Sequence, residues 1–202
     1  MKTLLKSFLL LMFTSSVIVS KSQNINDNTP VTWLGVDFTN AAYIGPPDKF
    51  NVSEFRIAFA EKVNDYIETQ PEKYDISKYL NRETVYYKTE QVNAANKKLD
   101  ISKHQATENI DENFTEAQIQ KIIDNYKFDG LTTETGIMLI VKSLNKAANT
   151  EVAYLTYINI ADSKVIHAER LTGKAKGFGM AAYWANPVVD MLKAMNKKLK
   201  KM

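Results

Sequence analysis

A chain of 202 residues that is 45% hydrophobic and 24% charged can bury one sizeable core, and no repeat of fixed period suggests a solenoid. With no cysteine it has no disulfide framework, no thiolate metal site and no thiol nucleophile. The formal charge of +3 is carried by residues 1–22: Lys2, Lys6 and Lys21 are three of the 26 basic residues, leaving 23 against 23 acidic ones. Beyond residue 22 the chain is neutral, and its charge gives no argument for nucleic acid.

In chain order, Lys2 and Lys6 form a basic start, and Phe8 to Val19 is an apolar run shorter than the roughly 20 residues that span a bilayer. Ser20 and Ser22 follow as small residues. The pattern predicts a signal peptide over 1–22, cleaved before Gln23, with no cysteine to take a lipid. The expected location is the periplasm or the cell exterior, with no transmembrane segment in the mature chain. Residues 23–30 (QNINDNTP) are polar and turn-rich and predict a flexible leader ahead of one domain over 31–202.

Val31 to Thr39 alternates, with Leu34, Val36 and Phe38 on one face and Trp33, Gly35 and Asp37 on the other, which predicts a first strand. Ile44-Gly-Pro-Pro-Asp48 reads as a loop. Asn51 and Glu54 resemble a capping box for a helix reaching about Thr69, with Phe55, Phe59, Val63 and Tyr66 to Ile67 on one stripe and Pro71 beyond it. Ile76 to Leu80 is a further short helix, Thr84 to Lys88 a second strand, and Val92 to Leu99 another short helix; the rest of 88–113 is ambiguous loop. Thr115 with Gln118 is a capping box, Phe114 staples onto Ile119, and Gly130 lies beyond the end of that helix.

Ile137 to Leu144, Val152 to Ile160 and Val165 to Leu171 predict a C-terminal three-strand antiparallel meander, followed by a helix carrying Trp184, Val188, Met191, Leu192, Met195 and Leu199 on one face. Pro187 is expected to kink this helix or mark its start. The predicted class is α+β: a single domain with a mixed β-sheet of about five strands, covered by three main helices.

The sharpest candidate for chemistry is the corner Gly173-Lys174-Ala-Lys176-Gly177-Phe-Gly179 between the last strand and the last helix. Free N–H groups at a helix start, with Lys174 and Lys176 beside them, suit an anion. Neither nucleotide-binding glycine fingerprint is met. The structural alternative is a tight turn that needs glycine, with Phe178 plugging the core. Tyr183 and Trp184 complete this candidate ligand-binding surface, with Trp184 also readable as core. A second candidate is Trp33 with Asp37, an aromatic and a carboxylate suited to sugars but equally natural on an exposed sheet face.

His104 and His167 have no companion at metal-ligand spacing, and no G-x-S-x-G elbow is present. No catalytic residue, metal or cofactor is assigned. Lys193, Lys197, Lys198, Lys200 and Lys201 suit either an anionic polymer or the solvated end of a helix.

The segments T-W-L-G-V-D-F (32–38), T-V-Y-Y-K (84–88) and T-G-K-A-K-G-F-G-M-A-A-Y-W-A (172–185) together resemble a family of exported Bacteroidetes proteins of no established activity. The corner is the most specific part of the resemblance, and Pro187 departs from the family's pattern. The resemblance implies fold and compartment, not an activity. The order of elements is also similar to small α+β envelope modules such as activators of peptidoglycan synthases. The functional expectation is an exported cell-envelope binding or interaction module without catalytic activity, its partner an envelope protein or an anionic polymer. The alternative is a hydrolase of glycans or phosphorylated envelope material, using Asp37 with Lys174 or Lys176.

Overall fold

A computed structural model describes residues 25–46, 52–106 and 113–202; the predicted signal peptide and Asn51 of the expected capping box lie outside the described residues. The longest apolar run, Thr135–Asn145 (β5), is buried on both faces and becomes the central strand. One edge of β5 is shared end to end by Val31–Asp37 (β1) and Ala42–Ile44 (β2), both parallel to it. Val85–Tyr87 (β3) lies outside β1 and Gln105–Ala106 (β4) outside β2, again parallel. On the other edge, Thr150–Asn159 (β6) and Lys164–Lys174 (β7) pair antiparallel to β5 and β6 in turn.

These findings correct the expected α+β class. The sheet has seven strands, four of its six pairings are parallel, and helical crossovers between the parallel strands make the domain α/β. Antiparallel pairing is confined to β5, β6 and β7, so it is not what organises the sheet. The two strands without a sequence signal, β2 and β4, have three and two residues, too short for any periodicity.

Among the described residues helical cover comes from three main helices, the first divided by a π turn, and from two short ones. Val52–Ile57 (α1) runs through a π turn at Ala58–Lys62 into Val63–Thr69 (α2). Ile76–Leu80 is α3, Glu90–Asn96 is α4, Glu116–Ile123 is α5 and Met180–Leu199 is α6. The π turn follows from the apolar spacing. Phe55, Phe59, Val63 and Ile67, all fully buried, are three successive steps of four, and each step drifts about 40° around a helix of 3.6 residues per turn. One wide turn, closed by the Val63 N–H on the Ala58 carbonyl, brings the stripe back onto the core.

One core packs α1–α3 and α6 against one face, with Trp33, Val36, Phe38, Leu139, Leu155 and Trp184. The other packs Val92 of α4, Ile119, Ile122 and Ile123 of α5, and Tyr126 against Leu34, Met138 and Ile140. The capping box at Thr115 and Gln118 forms as the sequence predicts.

β1 carries a bulge. Trp33 pairs with Ile137 and Gly35 with Met138, so Leu34 is extra. Gly35 has φ 107°, and a Cβ there would stand 3.1 Å from Asn64 Oδ1. The bulge reverses the phase of the strand: Trp33 joins Val36 and Phe38 on one face, and Asp37 turns to the other.

Beyond β3 the edge of β1 has no strand partner among the described residues, and two buried asparagines replace one. Asn64 of α2 accepts from Val36 N–H at 2.8 Å. Asn96 of α4 accepts from Phe38 N–H at 2.9 Å and donates to the Val36 carbonyl at 2.9 Å. Asn64 also donates to Asn93 at 2.6 Å, so the carboxamides serve as peptide groups where the sheet is interrupted.

From Ile25 onward, the expected leader is tied to the domain. The guanidinium of buried Arg82 bonds Asp27 and the Ile25 carbonyl and lies 5.7 Å from the Tyr157 ring centre. Asn26 donates to the Leu199 carbonyl at the end of α6, 173 residues away in sequence. Among the described residues no helix is long and apolar enough to cross a membrane.

Candidate functional site at the glycine corner

β7 runs further than the sequence predicts, to Lys174, because it keeps pairing with β6 as far as Thr150. At its end Gly173 lies against α6: a Cβ on it would stand 2.3 Å from the Pro187 carbonyl oxygen. Pro187 is inside α6, which starts at Met180, so the expectation that it marks the helix start is corrected. A missing side chain on β7 lets the proline turn of the helix approach the sheet.

The corner is held from several sides. Ala175 N–H donates to the Asn149 carbonyl at 2.8 Å, Lys174 N–H to Asp190 Oδ2 at 3.1 Å, and Asn186 Nδ2 to the Lys176 carbonyl. Asn186 Oδ1 also faces the Tyr74 hydroxyl at 3.4 Å. Burial pushes that phenol up to about 12, so it stays a donor. Gly177 and Gly179 take φ of 123° and 80°, which bends the chain sharply into α6 with no side chain capping the helix.

Phe178 stands between these two glycines and is 99% exposed. The expectation that it plugs the core is therefore wrong. Trp184 fills that place, fully buried, its ring edge-on to Tyr183 at 4.9 Å. Tyr183 is half-buried, donates to Asn149 Oδ1 and carries the Lys146 ammonium 3.6 Å from its ring centre. Lys174 and Lys176 are exposed. Gly173, Lys174, Lys176, Gly177, Gly179 and Tyr183 thus meet at one end of β7, with Trp184 beneath them.

Trp33 and Asp37 do not join this corner or each other. Both are fully buried, and the bulge turns them to opposite faces. Asp37 lies where the chain order reverses, between β3 on one side of β1 and β5 on the other. An open parallel sheet leaves a ligand crevice at such a point, but here Asp37 is fully buried and β1 is followed at once by β2 on the same edge of β5. Asp37 Oδ1 accepts from Thr39 N–H at 2.7 Å, while Oδ2 has no partner at hydrogen-bonding geometry. Burial raises this carboxyl above its ordinary range, against the opposing hydrogen bond from Thr39. Burial, and after it the neighbouring Asp37 charge, raise the phenol of Tyr126. The register Asp37–Ile140–Tyr154–Arg170 puts it three strand spacings, roughly 14 Å, from β7. The pairing of Asp37 with Lys174 or Lys176 on which the hydrolase reading relied does not form.

Sequence reasoning passed over Glu151. Its position on β6 shares a face with Ala153, Leu155 and Tyr157 of the larger core, and the alternation of that strand was the signal. It is fully buried, both carboxylate oxygens lack a hydrogen-bond partner among the described residues, and desolvation raises its pKa well above the usual value. His167 Nε2 lies 3.5 Å from Glu169, which also pairs with Lys198 of α6. Among the described residues no three His, Asp or Glu side chains form a metal-binding group.

A groove of about 400 Å³ runs between the α1–α2 helix and the corner. Ile57, Lys62 and Tyr66 line one side, and Phe178 and Met180 line the other. Ile57 is 56% exposed, so two large apolar side chains face solvent across this groove. Its signal in the sequence was an isoleucine out of phase with the Phe55–Phe59–Val63 stripe. No protein-family model matches the chain, and no curated protein matches it.

Proposed function

We propose that this protein is an exported cell-envelope binding module that uses the glycine corner as its contact surface and performs no catalysis. The observation that carries the reading is Phe178, 99% exposed on a corner whose backbone is braced by hydrogen bonds with Asn186, Asn149 and Asp190. A large aromatic held outside the core on a braced backbone suits a binding anchor, because the turn that presents it has little backbone freedom left to lose on contact. Export rests on the basic and apolar pattern of residues 1–19, and kinship with the exported Bacteroidetes family on the corner motif.

Affinity capture from a solubilised envelope extract tests the module. A component retained by the wild type and lost by Phe178→Ala and by Lys174→Glu/Lys176→Glu supports the corner as the surface. Equal retention by all three moves the surface elsewhere, and no retention by any of them overturns the reading. N-terminal sequencing of protein recovered from the periplasm or medium checks export, which requires a chain starting at Gln23.

A further inference from the structure

Glu151 is the second residue of β6, and the register row Tyr43–Leu144–Glu151–Gly173 carries it across the sheet to the glycine corner. It lies on the α6 face, where the Pro187 carbonyl fills the place that a Gly173 side chain would take. From β2 the phenol of Tyr43 lies within electrostatic reach, raised by burial and then by the charges of Asp37 and Glu151. The rings of Phe55 and Phe59 pack on Tyr43 and bring no charge. The charged groups at this end of the fold are Lys146, set over the Tyr183 ring, Lys174, which is exposed, and Asp190 of α6, which accepts the Lys174 N–H. None of them is a counter-ion for Glu151, whose carboxyl is perturbed by desolvation alone.

We propose that the proton on Glu151 latches the glycine corner: while it is in place residues 173–186 stay on the sheet, and its loss lets this segment part from β6 with the rest of the domain folded. An ionised carboxylate with no partner needs water. The short route to water is through the corner, because Glu151 is one residue from the end of β6 and its other neighbours belong to the core. The segment also has places to bend. Gly177 and Gly179 lie at one of them, and α6 begins there with no side-chain cap. Pro187 is the other: it has no N–H, so the Tyr183 carbonyl lacks its helical donor and a break there costs fewer hydrogen bonds than elsewhere in α6. The latch goes beyond the binding-module reading and does not depend on it.

Hydrogen exchange read by mass spectrometry across a pH series tests the latch. Between the ordinary carboxyl value of 4.5 and the raised one, each opening releases one proton. Protection factors of the amides in 173–186 are therefore expected to fall about tenfold per pH unit over that range. At each pH they should lie at least about tenfold below those of Ile137 to Val141 in β5, which exchange on global unfolding. Glu151→Gln and Glu151→Met should each remove the pH dependence at the corner; the methionine variant keeps the test valid if a buried amide perturbs folding. Corner protection that is flat with pH in the wild type, that equals the protection of β5, or that keeps its slope in both variants overturns the proposal. The measurement needs no partner. Should the latch fail while envelope capture depends on Phe178, the module stands; should capture fail while the latch holds, only the contact-surface reading falls.

Discussion

Two interruptions of polar order lie inside this domain, and they are handled in opposite ways. Where β1 outruns β3, the side chains of Asn64 and Asn96 take the exposed N–H groups of Val36 and Phe38 and the Val36 carbonyl, and Asn93 engages Asn64 in turn. At Glu151, on the same sheet, a carboxyl is buried with no hydrogen bond to either oxygen. The first arrangement lets a strand end inside the fold without leaving orphan backbone groups. The second opposes stability, since burial without a partner disfavours the charged form.

Mutating the satisfied site should cost most. Asn64→Ala strips Val36 N–H of its partner inside the protein, and we expect about 2–4 kcal/mol of lost stability in urea unfolding. A loss below about 1 kcal/mol would mean water replaces the carboxamide and the contrast is weaker than drawn. At the unsatisfied site the sign reverses. Glu151→Met keeps an unbranched side chain, and should raise stability at pH 8 by about 1–2 kcal/mol; a destabilised variant would show that Glu151 has a partner in solution.

The pH profile sharpens the same comparison. In the folded chain Glu151 holds its proton above the ordinary value of 4.5, and between the ordinary and raised values the folded state binds more protons than the unfolded one. Stability should therefore fall as pH rises from about 4.5 through the raised value, then level off. Asp37, raised by burial from 3.8, acts in the same direction. Glu151→Gln should flatten the Glu151 share of this slope; an unaltered profile would count against the assignment. Smallest of all is Phe178→Ala, expected to stay within about 0.5 kcal/mol of the wild type because the ring touches solvent, not core. A larger loss in thermal melting would return Phe178 to a packing role.

Much of the local structure was legible because single residues announce it. Thr115 and Gln118 mark the start of α5, and the apolar run from Ile137 marks the central strand. The class of the sheet was not legible, since parallel pairing is decided by helical crossovers between segments far apart in sequence, and β2 and β4 are too short to show a period. At β1 the alternation was visible and misleading: one extra residue at Leu34 put Trp33 and Asp37 on opposite faces, and the strand after it is held by Asn64, 28 residues beyond Val36. At the corner, the glycines around Phe178 signalled a turn, but which aromatic turned inward was settled by Trp184 four residues into α6.

The strap at Ile25 to Thr29 imposes an order of events. Its holders are Arg82, whose guanidinium rests against Tyr157 of β6, and the carbonyl of Leu199 at the end of the last helix. A chain made from its N-terminus presents the strap before either anchor, so a segment made early docks only after Leu199 is in place. Closure of the strap is a report that α6 has arrived.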